Sequence, residues 1–368
     1  MKVLIFVITA VFMSVSNAVA EPSKHVLMVL SSHGQQQGEE RPGYEFDEFA
    51  KAYLVFKQHG ITVDIASPKG GVLVADEYDP KKPFNAQVIA DDHAMAKLNS
   101  SLPLHTLSAA HYDGVFVVGG KGAMFDFPNN KALQTLITDI YQQQGSVAAV
   151  CHGPAALVNV RLNDGSYLIA NKAINGFTNE EERMFGKKWM KEFDFLLEDK
   201  LIERGGKFQS SGFMLAHVAV DGRLITGQNP SSTVGVALEL VKSLGVEVQP
   251  VEQYTDDKTM GLVAKLLNGE YKAIQPLITH AEAYNIKLVG MYGYYYMMKS
   301  DTAQDYRNAL MLMNVAKEAI NSPNLEMQIA KAHQALGDSQ SAALVLHEIL
   351  ADQPAFKAAS DMLVTLTQ

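Results

Sequence analysis

The sequence predicts a doubly wound, mostly parallel α/β sheet followed by a small all-α domain. Three observations support this fold class. Short apolar runs alternate with helical patterns in the first part of the chain, two of these runs lead into glycine-containing turns, and convincing strand patterns stop near residue 248. Open sheets of this kind bind ligands at the carboxyl ends of their strands, so we expect the functional residues in the loops that follow the strands.

The first half of the chain alternates strands and helices as this fold class requires. Residues 44–59 carry apolar side chains at helical spacing, and Gly60 follows them as a helix terminator. Residues 72–108 are richer in Asp, Pro and Lys, which predicts a surface insertion that contains a helix. The predicted strands are residues 25–30, 61–66, 113–120 and 146–150, and a further helix is predicted over residues 131–144.

The alternation continues up to a change of character near residue 248. Strands are predicted at residues 172–176, 215–220 and 224–226, and helices at residues 179–187, 191–204 and 231–244. Gln249, Pro250 and the polar residues around Asp256 are typical of a linker. We therefore predict a signal peptide over residues 1–20, an α/β domain over residues 21–247 and a helical domain over residues 248–368.

One stretch of the helical domain has a recognisable register. Its spacing is similar to that of a tetratricopeptide unit, in which two antiparallel helices pack closely through small residues; it consists of Leu336, Gly337, Asp338, Ala342, Leu346 and Pro354. Residues 292–323 carry a looser copy. About three helical pairs are usually needed to bury a continuous core. Because this domain is short, we expect it to pack against the first domain or against a second chain. An ordinary helical hairpin cap without a binding role is the alternative.

The first twenty residues have the features of a secretory signal peptide. Lys2 precedes a short apolar run at residues 3–13, and the small residues Ala18 and Ala20 satisfy the A-x-A cleavage rule. We therefore expect cleavage after Ala20 and a periplasmic or secreted protein. A membrane anchor is the alternative, although the run is short for a bilayer span of about 20 residues.

Composition and charge narrow the class of protein. A hydrophobic fraction of 47% and a charged fraction of 19% are typical of a globular chain. The net charge of −9 argues against a nucleic-acid surface.

Cys151 is the single cysteine, so no disulfide can form within the chain. An unpaired thiol in an exported protein favours a chemical role for Cys151.

The sequence around Cys151 predicts a nucleophile elbow built with cysteine. The stretch AAVCHGPAAL places Cys151 between a short buried strand and a helical pattern that starts at Pro154. Backbone N–H groups at the start of a helix favour a thiolate and stabilise an oxyanion. The alternative is a small buried hydrophobic side chain at a strand end, because free cysteine is often buried and inert. Glu45, Asp47 and Glu48 follow the first predicted strand, and one of these carboxylates is expected to face the same crevice.

Five sequence blocks, in order, resemble the ThiJ/PfpI superfamily. They read GYEFDEFAKAYLVFKQHGITVDIASPKGG, VFVVGGKGAMFDFP, AVCHGPAAL, NGFTNEEE and LITGQNPSS. The similarity is to the branch of heat-shock-type chaperones and glutathione-independent glyoxalases (glyoxalase III, D-lactate dehydratase), and it covers about residues 24–245. It implies a flavodoxin-like α/β sandwich that is related to class I glutamine amidotransferase domains and is frequently a homodimer.

The resemblance also implies a set of site residues. Cys151 matches the nucleophile of the family and His152 its neighbouring histidine. Glu48, twelve residues before Gly60, matches the buried acid beside the sulfur. Glu182, five residues after Phe177, matches the acid that orients the histidine, and Glu181 is the second choice. Gly120 matches the glycine whose backbone N–H forms the oxyanion hole together with that of His152.

These residues imply an enzyme that acts on small reactive carbonyls and converts methylglyoxal to lactate. This chemistry requires no metal or redox cofactor, and the histidines lack zinc-like spacing, so we expect none. An exported holdase-type chaperone or stress protein, with a protein partner on the helical domain, is the alternative. A glutaminase or amidase is a further alternative, and it would require a histidine and a glutamate two residues apart late in the domain. His217 is followed by Val218 and Ala219, so this pair is missing. The sequence gives similarly little support to a peptidase function.

Overall fold

A computed structural model describes residues 23–186 and 188–366 of the chain. Its strands are β1 (His25–Val29), β2 (Thr62–Ser67), β3 (Leu102–Pro103), β4 (Gly114–Val117), β5 (Ser146–Val150), β6 (Ala173–Ile174), β7 (Lys207–Phe208), β8 (Val218–Asp221) and β9 (Leu224–Gly227). Seven of them form one sheet in the order β3-β2-β1-β4-β5-β9-β8, parallel except at the β8–β9 pair. The predicted mostly parallel, flavodoxin-like sheet is therefore confirmed.

Helices cover this sheet. They are α1 (Phe46–Gln58), α2 (Pro83–Ile89), α3 (Asp92–Asn99), α4 (Ala123–Asp126), α5 (Lys131–Gln142), α6 (Asn179–Phe185), α7 (Leu197–Glu203) and α8 (Thr233–Ser243). Every residue of β4 and β5 is buried, as expected for central parallel strands that are covered on both faces. The chain crosses from β2 on one side of β1 to β4 on the other, so the switch point of the sheet lies between β1 and β4.

Two local predictions differ from the structure. The strand predicted at residues 172–176 does not join the main sheet, because β6 pairs only with the short strand β7, which the sequence analysis did not predict. The helix predicted over residues 191–204 is broken. Residues 189–192 form a 3-10 turn, and α7 begins at Leu197. Between them, Phe193 packs against Phe125 with ring centroids 5.3 Å apart, so tertiary packing overrides the local helical pattern.

The described residues after α8 are helical, as predicted. They form α9 (Thr255–Leu267), α10 (Ile274–Thr279), α11 (Ile286–Met298), α12 (Ala303–Ile320), α13 (Pro323–Ala335), α14 (Ser339–Asp352) and α15 (Lys357–Leu366). The register predicted from Leu336 to Leu346 forms the turn between α13 and α14 and the buried face of α14. The first of these helices also share a core with the sheet domain, since Phe213 and Leu215 pack in one buried cluster with Val263, Tyr292 and Leu312.

Gly293 lets α11 and α12 pack closely, which leads to a stability prediction. A Cβ on Gly293 would lie 2.9 Å from Leu312 Cβ and 3.1 Å from Met313 N. We expect Gly293→Ala to lower the free energy of unfolding by up to about 2 kcal/mol, because an overpacking cost of about 1–3 kcal/mol is offset only in part by the helix-propensity gain of about 1 kcal/mol. Gly261→Ala in α9 is the matched control, since no atom lies within 4 Å of its added Cβ. Chemical denaturation measures both variants, and a stabilised Gly293→Ala protein would contradict the close packing.

The predicted signal peptide and its cleavage after Ala20 lie outside the described residues. Within the described part of the chain, none of the helices combines the length and apolar character that a membrane crossing requires.

Candidate active site

Cys151 lies at a sharp turn directly after β5. Its φ of 60° is in the left-handed region that non-glycine residues rarely adopt, and such strain is often found at functional sites. Two backbone hydrogen bonds hold the turn: Cys151 N–H donates to Gly227 O at 2.9 Å, and Phe177 N–H donates to Cys151 O at 2.8 Å. A Cβ on Gly153 would lie 2.4 Å from Val117 O, so the chain passes close to β4 immediately after the cysteine. The local geometry is that of an elbow.

Cys151, His152 and Glu182 form a chain of two successive side-chain contacts at the elbow. Cys151 Sγ lies 3.4 Å from His152 Nδ1, and His152 Nε2 lies 2.7 Å from Glu182 Oε2. The imidazole and the Glu182 carboxylate are only 2% and 3% exposed, so solvent screens their interaction little. Side chains of adjacent residues usually point apart. Here the backbone of Cys151 is left-handed, and the side chains of Cys151 and His152 are in contact. This arrangement can accept a proton from the sulfur and stabilise the resulting imidazolium.

Glu181 and Glu182 have different surroundings although they are adjacent. Glu181 accepts hydrogen bonds from the capping residue of α6 and from the loops on the far side of the site; its partners are Thr178, Met214, Gln228 and Asn229. These bonds fix the loops around α6. Glu182 instead bonds His152 and has a second oxygen, Oε1, without a hydrogen-bond partner among the described residues.

Glu48 reaches the sulfur side of the site from α1. Its side chain is completely buried, and Oε2 accepts the backbone N–H of Gly119 at 2.8 Å. A Cβ on Gly119 would lie 2.6 Å from Glu48 Oε2 and 2.7 Å from Cys151 Cβ, so the acid and the cysteine approach each other over this glycine. Glu48 Oε1 has no hydrogen-bond partner in the described part of the chain. The sequence analysis did not identify Gly119, although the Gly119–Gly120 doublet after a buried strand was the available signal.

Burial is the main influence on the pKa values of Glu48 and Cys151. It raises the pKa of the Glu48 carboxyl well above its ordinary value, and the nearby charge of Glu45 adds to the rise. Burial also raises the pKa of the Cys151 thiol well above its ordinary value, and the charge of Glu48 adds to that rise. Two acids in one dry space titrate as a pair and cannot both ionise at neutral pH.

The expectation that the elbow favours a thiolate is therefore wrong for the resting site. A five-residue 3-10 turn, Gly153–Leu157, follows Cys151 in place of the predicted helix. A turn of this length lacks the aligned dipoles of a longer helix, and desolvation of the sulfur dominates. Cys151 is also only 4% exposed. Both upward shifts favour a neutral thiol beside a neutral carboxylic acid in the resting site.

Two backbone donors are available near the elbow. In residues 23–186 and 188–366, the N–H groups of Gly120 and His152 have no protein acceptor. Gly120 has a φ of 92°, and a Cβ on it would lie 2.4 Å from Glu45 N, so only glycine fits. Unpaired backbone donors beside a nucleophile can stabilise a developing oxyanion. These are the two residues that the sequence analysis assigned to the oxyanion hole.

Gly119 gives a direct test of how tightly Glu48 and Cys151 are packed. Its φ lies outside the left-handed region, so an added methyl group acts through space alone. We expect Gly119→Ala to lower the free energy of unfolding by about 1–3 kcal/mol, because the Cβ would overlap Glu48 Oε2, Cys151 Cβ and Val150 O. Gly212→Ala in an exposed loop is the control, since its nearest atom is 3.4 Å away. Equal midpoints of denaturation for the two variants would show that the site is looser than described.

Glu45 at the start of α1 predicts a pH dependence of stability. Burial, with the charges of Asp47 and Asp76, raises its pKa from 4.5 to about 7. The folded protein keeps a proton that the unfolded chain releases above pH 4.5, so the free energy of unfolding falls as the pH rises from 4.5 to about 7. We expect Glu45→Gln to remove this fall and to gain at most about 3 kcal/mol over the native protein near pH 8. Denaturation series across this range measure it, and identical pH profiles would contradict the shift.

The surroundings of the site do not suggest a metal centre. Among the described residues, no group of three or more His, Cys, Asp or Glu side chains is arranged to hold a metal ion. The outer face of His152 is instead aromatic. Phe177 and Phe193 lie with ring centroids 4.5 Å and 6.1 Å from the imidazole. The unpredicted break before α7 is what brings Phe193 to this position.

Known proteins are similar to the part of the chain that contains this site. Over 233 residues the chain is 32% identical to "Glyoxalase 3" of Candida albicans, covering 59% of this chain and 96% of that protein. It is 28% identical over 243 residues to "Probable glutathione-independent glyoxalase HSP32" of Saccharomyces cerevisiae, covering 61% of this chain and 98% of that protein.

Solved structures match the same part of the chain. The Rapid Encystment Protein 24 KDa of Francisella tularensis aligns with a TM-score of 0.57 and 34% identity, covering 60% of this chain and 99% of that one. Glyoxalase III of Candida albicans aligns with a TM-score of 0.56 and 28% identity, covering 61% and 98%. The model of the DJ-1/PfpI family matches residues 41–243, more than half of the sequence, and the protein therefore belongs to the DJ-1/PfpI family.

Proposed function

We propose that this protein is a cysteine-dependent, glutathione-independent glyoxalase that converts methylglyoxal to lactate. The observation that carries the proposal is the buried line from Cys151 through His152 to Glu182, with the neutral acid Glu48 on the other side of the sulfur. The names of its relatives in two fungi support the same reaction class.

The first step forms a carbon–sulfur bond. Cys151 Sγ attacks the aldehyde carbon of methylglyoxal and passes its proton to His152 Nδ1, which lies 3.4 Å away. The carbonyl electron pair moves onto oxygen, which Glu48 protonates while the N–H groups of Gly120 and His152 bind it. The product is a hemithioacetal, and the imidazolium is stabilised by Glu182.

The next steps move a hydrogen between the two carbons. The Glu48 carboxylate takes the proton of the former aldehyde carbon, and the C–H electrons form an enediol as His152 protonates the second oxygen. Glu48 then returns its proton to the second carbon, and His152 removes the hydroxyl proton as the thioester carbonyl forms. One carbon is oxidised and the other reduced, so no external oxidant or reductant is needed. Glu48, now a carboxylate, takes a proton from the water that attacks the lactoyl thioester. The carbon–sulfur bond then breaks, His152 returns its proton to the sulfur, and lactic acid leaves and releases its carboxyl proton to solvent.

The proposal is tested on the chain without its first twenty residues. Purified protein should convert methylglyoxal to lactate in the absence of glutathione, measured by loss of the dicarbonyl and by NMR of the product. Heat-denatured protein at the same concentration is the control, because exposed lysine and arginine side chains also consume methylglyoxal without forming lactate. Consumption without lactate would refute the proposed reaction.

The proposal includes an exported location. The apolar run at residues 3–13 and the small residues before Ala20 support cleavage by a signal peptidase and a periplasmic or secreted protein. Mass spectrometry of protein recovered from cell fractions should find an N-terminus at Glu21. A full-length chain in the cytoplasmic fraction would contradict this part of the proposal.

A holdase-type chaperone is the second candidate, and exposed apolar side chains on the helical region favour it. Met298, Leu344 and Val364 are 66%, 59% and 57% exposed. A Cys151→Ala variant that still suppresses aggregation of an unfolded client, in a protein without glyoxalase turnover, would support this candidate over the enzyme.

A further inference from the structure

A second cleft lies between the sheet domain and the helical region. Its volume is about 320 Å³, enough for a small organic molecule. The start of α1, the end of α6 and the loop at Phe213 form one side, and α9 and α11 form the other. Cys151, His152, Glu48 and Glu182 do not line it, so this cleft does not include the reacting groups of the candidate active site, although Glu45 lies near both.

The walls of the cleft are aromatic and flexible apolar side chains. Phe213 stacks on Tyr292 with centroids 4.5 Å apart and an interplanar angle of 7°, and Phe185 lies 5.5 Å from Tyr295. Met291 borders the opening and is 53% exposed. Methionine and aromatic side chains adapt well to a flat apolar guest, so the walls fit an aromatic body.

The polar lining has an excess of negative charge. Lys51 pairs with Asp257 at 2.6 Å, and Lys82 pairs with Asp47 at 2.6 Å. Glu45, whose pKa of about 7 leaves it partly protonated at neutral pH, and Asp256 also line the cleft. Neither is within salt-bridge distance of a cationic side chain in the described part of the protein, and Asp256 accepts only the Asn285 amide, at 2.8 Å. Neutral ligands leave this excess uncompensated, whereas a cation neutralises it.

Two buried polar atoms on the cleft walls have no partner. Tyr292 is 3% exposed, and its hydroxyl makes no hydrogen bond within the described residues. Asp257 Oδ2 is also unpaired there, although Oδ1 binds Lys51. Unsatisfied buried polar atoms are rare in folded proteins and suggest a missing partner. A donor group is what the free oxygen of Asp257 requires.

We propose that this cleft binds a small organic cation with an aromatic body and a primary ammonium group. The aromatic body packs against Tyr292 and Tyr295, and the ammonium group donates hydrogen bonds to the carboxylates of Asp256 and Asp257. The site exists only where the helical region meets the family domain, so it is a property of the two together. It does not depend on the proposed glyoxalase reaction.

Calorimetry on the intact mature chain tests the site with three matched probes: 2-phenylethylammonium, the neutral 2-phenylethanol and the anion phenylacetate. We expect one binding site that prefers the cation over the neutral probe by roughly tenfold or more, and over the anion by a larger factor. Added salt should weaken the preference. Equal binding of the cation and the neutral probe, or binding of none of them up to millimolar concentration, would overturn the proposal.

Variants locate the binding. Asp256→Asn keeps the oxygen that accepts from Asn285 but removes the charge, and Met291→Lys brings a competing cation to an exposed position. We expect each to weaken cation binding about fivefold or more, with little change in the midpoint of denaturation. Cys151→Ala should leave binding unchanged, which separates this site from the active site. Loss of binding in Cys151→Ala, or full binding in both cleft variants, would contradict the assignment.

Discussion

Cys151→Ala should abolish lactate formation, with a loss of turnover of at least about 10⁵-fold. The proposed reaction forms and breaks a bond to this sulfur, and no other thiol is present in the chain to replace it. Stability should change by less than about 1 kcal/mol, because alanine fills nearly the same small space and keeps the strained backbone of the turn. NMR of the product measures turnover, and chemical denaturation measures stability.

Cys151→Ser is the matched control, since its hydroxyl preserves the size and polarity of the position but is a much weaker nucleophile. We expect it to be folded and as inactive as Cys151→Ala. Lactate production at the native rate by either variant would remove Cys151 from the reaction and leave the buried-thiol interpretation.

The elements around the sheet could be predicted from sequence because their signals are local. Short apolar runs bounded by glycine are the usual signature of buried parallel strands, and β5 begins and ends where the pattern predicted. The antiparallel β8–β9 pair also has a local signal in the sequence, because the residues DGR at positions 221–223 are typical of a tight turn and join the two strands. Such features depend on residues a few positions apart, so a single sequence contains them.

Two features that were predicted wrongly, the helix at residues 191–204 and the charge state of Cys151, depend on contacts between residues that are distant in the sequence. The pattern of residues 191–204 is compatible with a helix, but the contacts of Phe193 with Phe125 and with the His152 ring draw the chain out of it. The protonation of Cys151 depends on how far the sulfur is removed from water and on a carboxyl from α1 that is distant in sequence. Local spacing carries no information about desolvation, so the elbow was predicted and its charge state was not.

The assignment of two adjacent acids shows the same limit. Sequence alone ranks Glu182 above Glu181 by resemblance. In the structure Glu181 bonds the loops at Met214 and Asn229, whereas Glu182 bonds His152. The direction of each side chain is fixed by the one-residue rotation along α6, and it cannot be seen until the partners on other elements are placed.

Glu48→Gln should lower turnover by about 10²–10⁴-fold, the usual contribution of a positioned general acid–base. An amide can still accept the N–H of Gly119 but cannot carry a proton between the two carbons of the substrate. The thiol should respond in the opposite direction. Because ionised Glu48 adds to the raised pKa of Cys151, its removal should lower that pKa and speed alkylation of the sulfur by iodoacetamide at alkaline pH, where Glu48 of the native protein has lost its proton.

These two readouts separate a chemical role of Glu48 from a structural one. Slower turnover together with faster alkylation at alkaline pH, at an unchanged midpoint of denaturation, is expected if Glu48 carries the proton and its charge acts on the sulfur. A variant that merely loses the packing of α1 would show slower turnover together with a lower midpoint of denaturation. Glu239→Gln on the surface of α8 is the matched control and should change neither readout, because this carboxylate pairs with Lys242 on its own helix. Unchanged lactate formation in Glu48→Gln would mean that the hydrogen moves between the carbons without this acid.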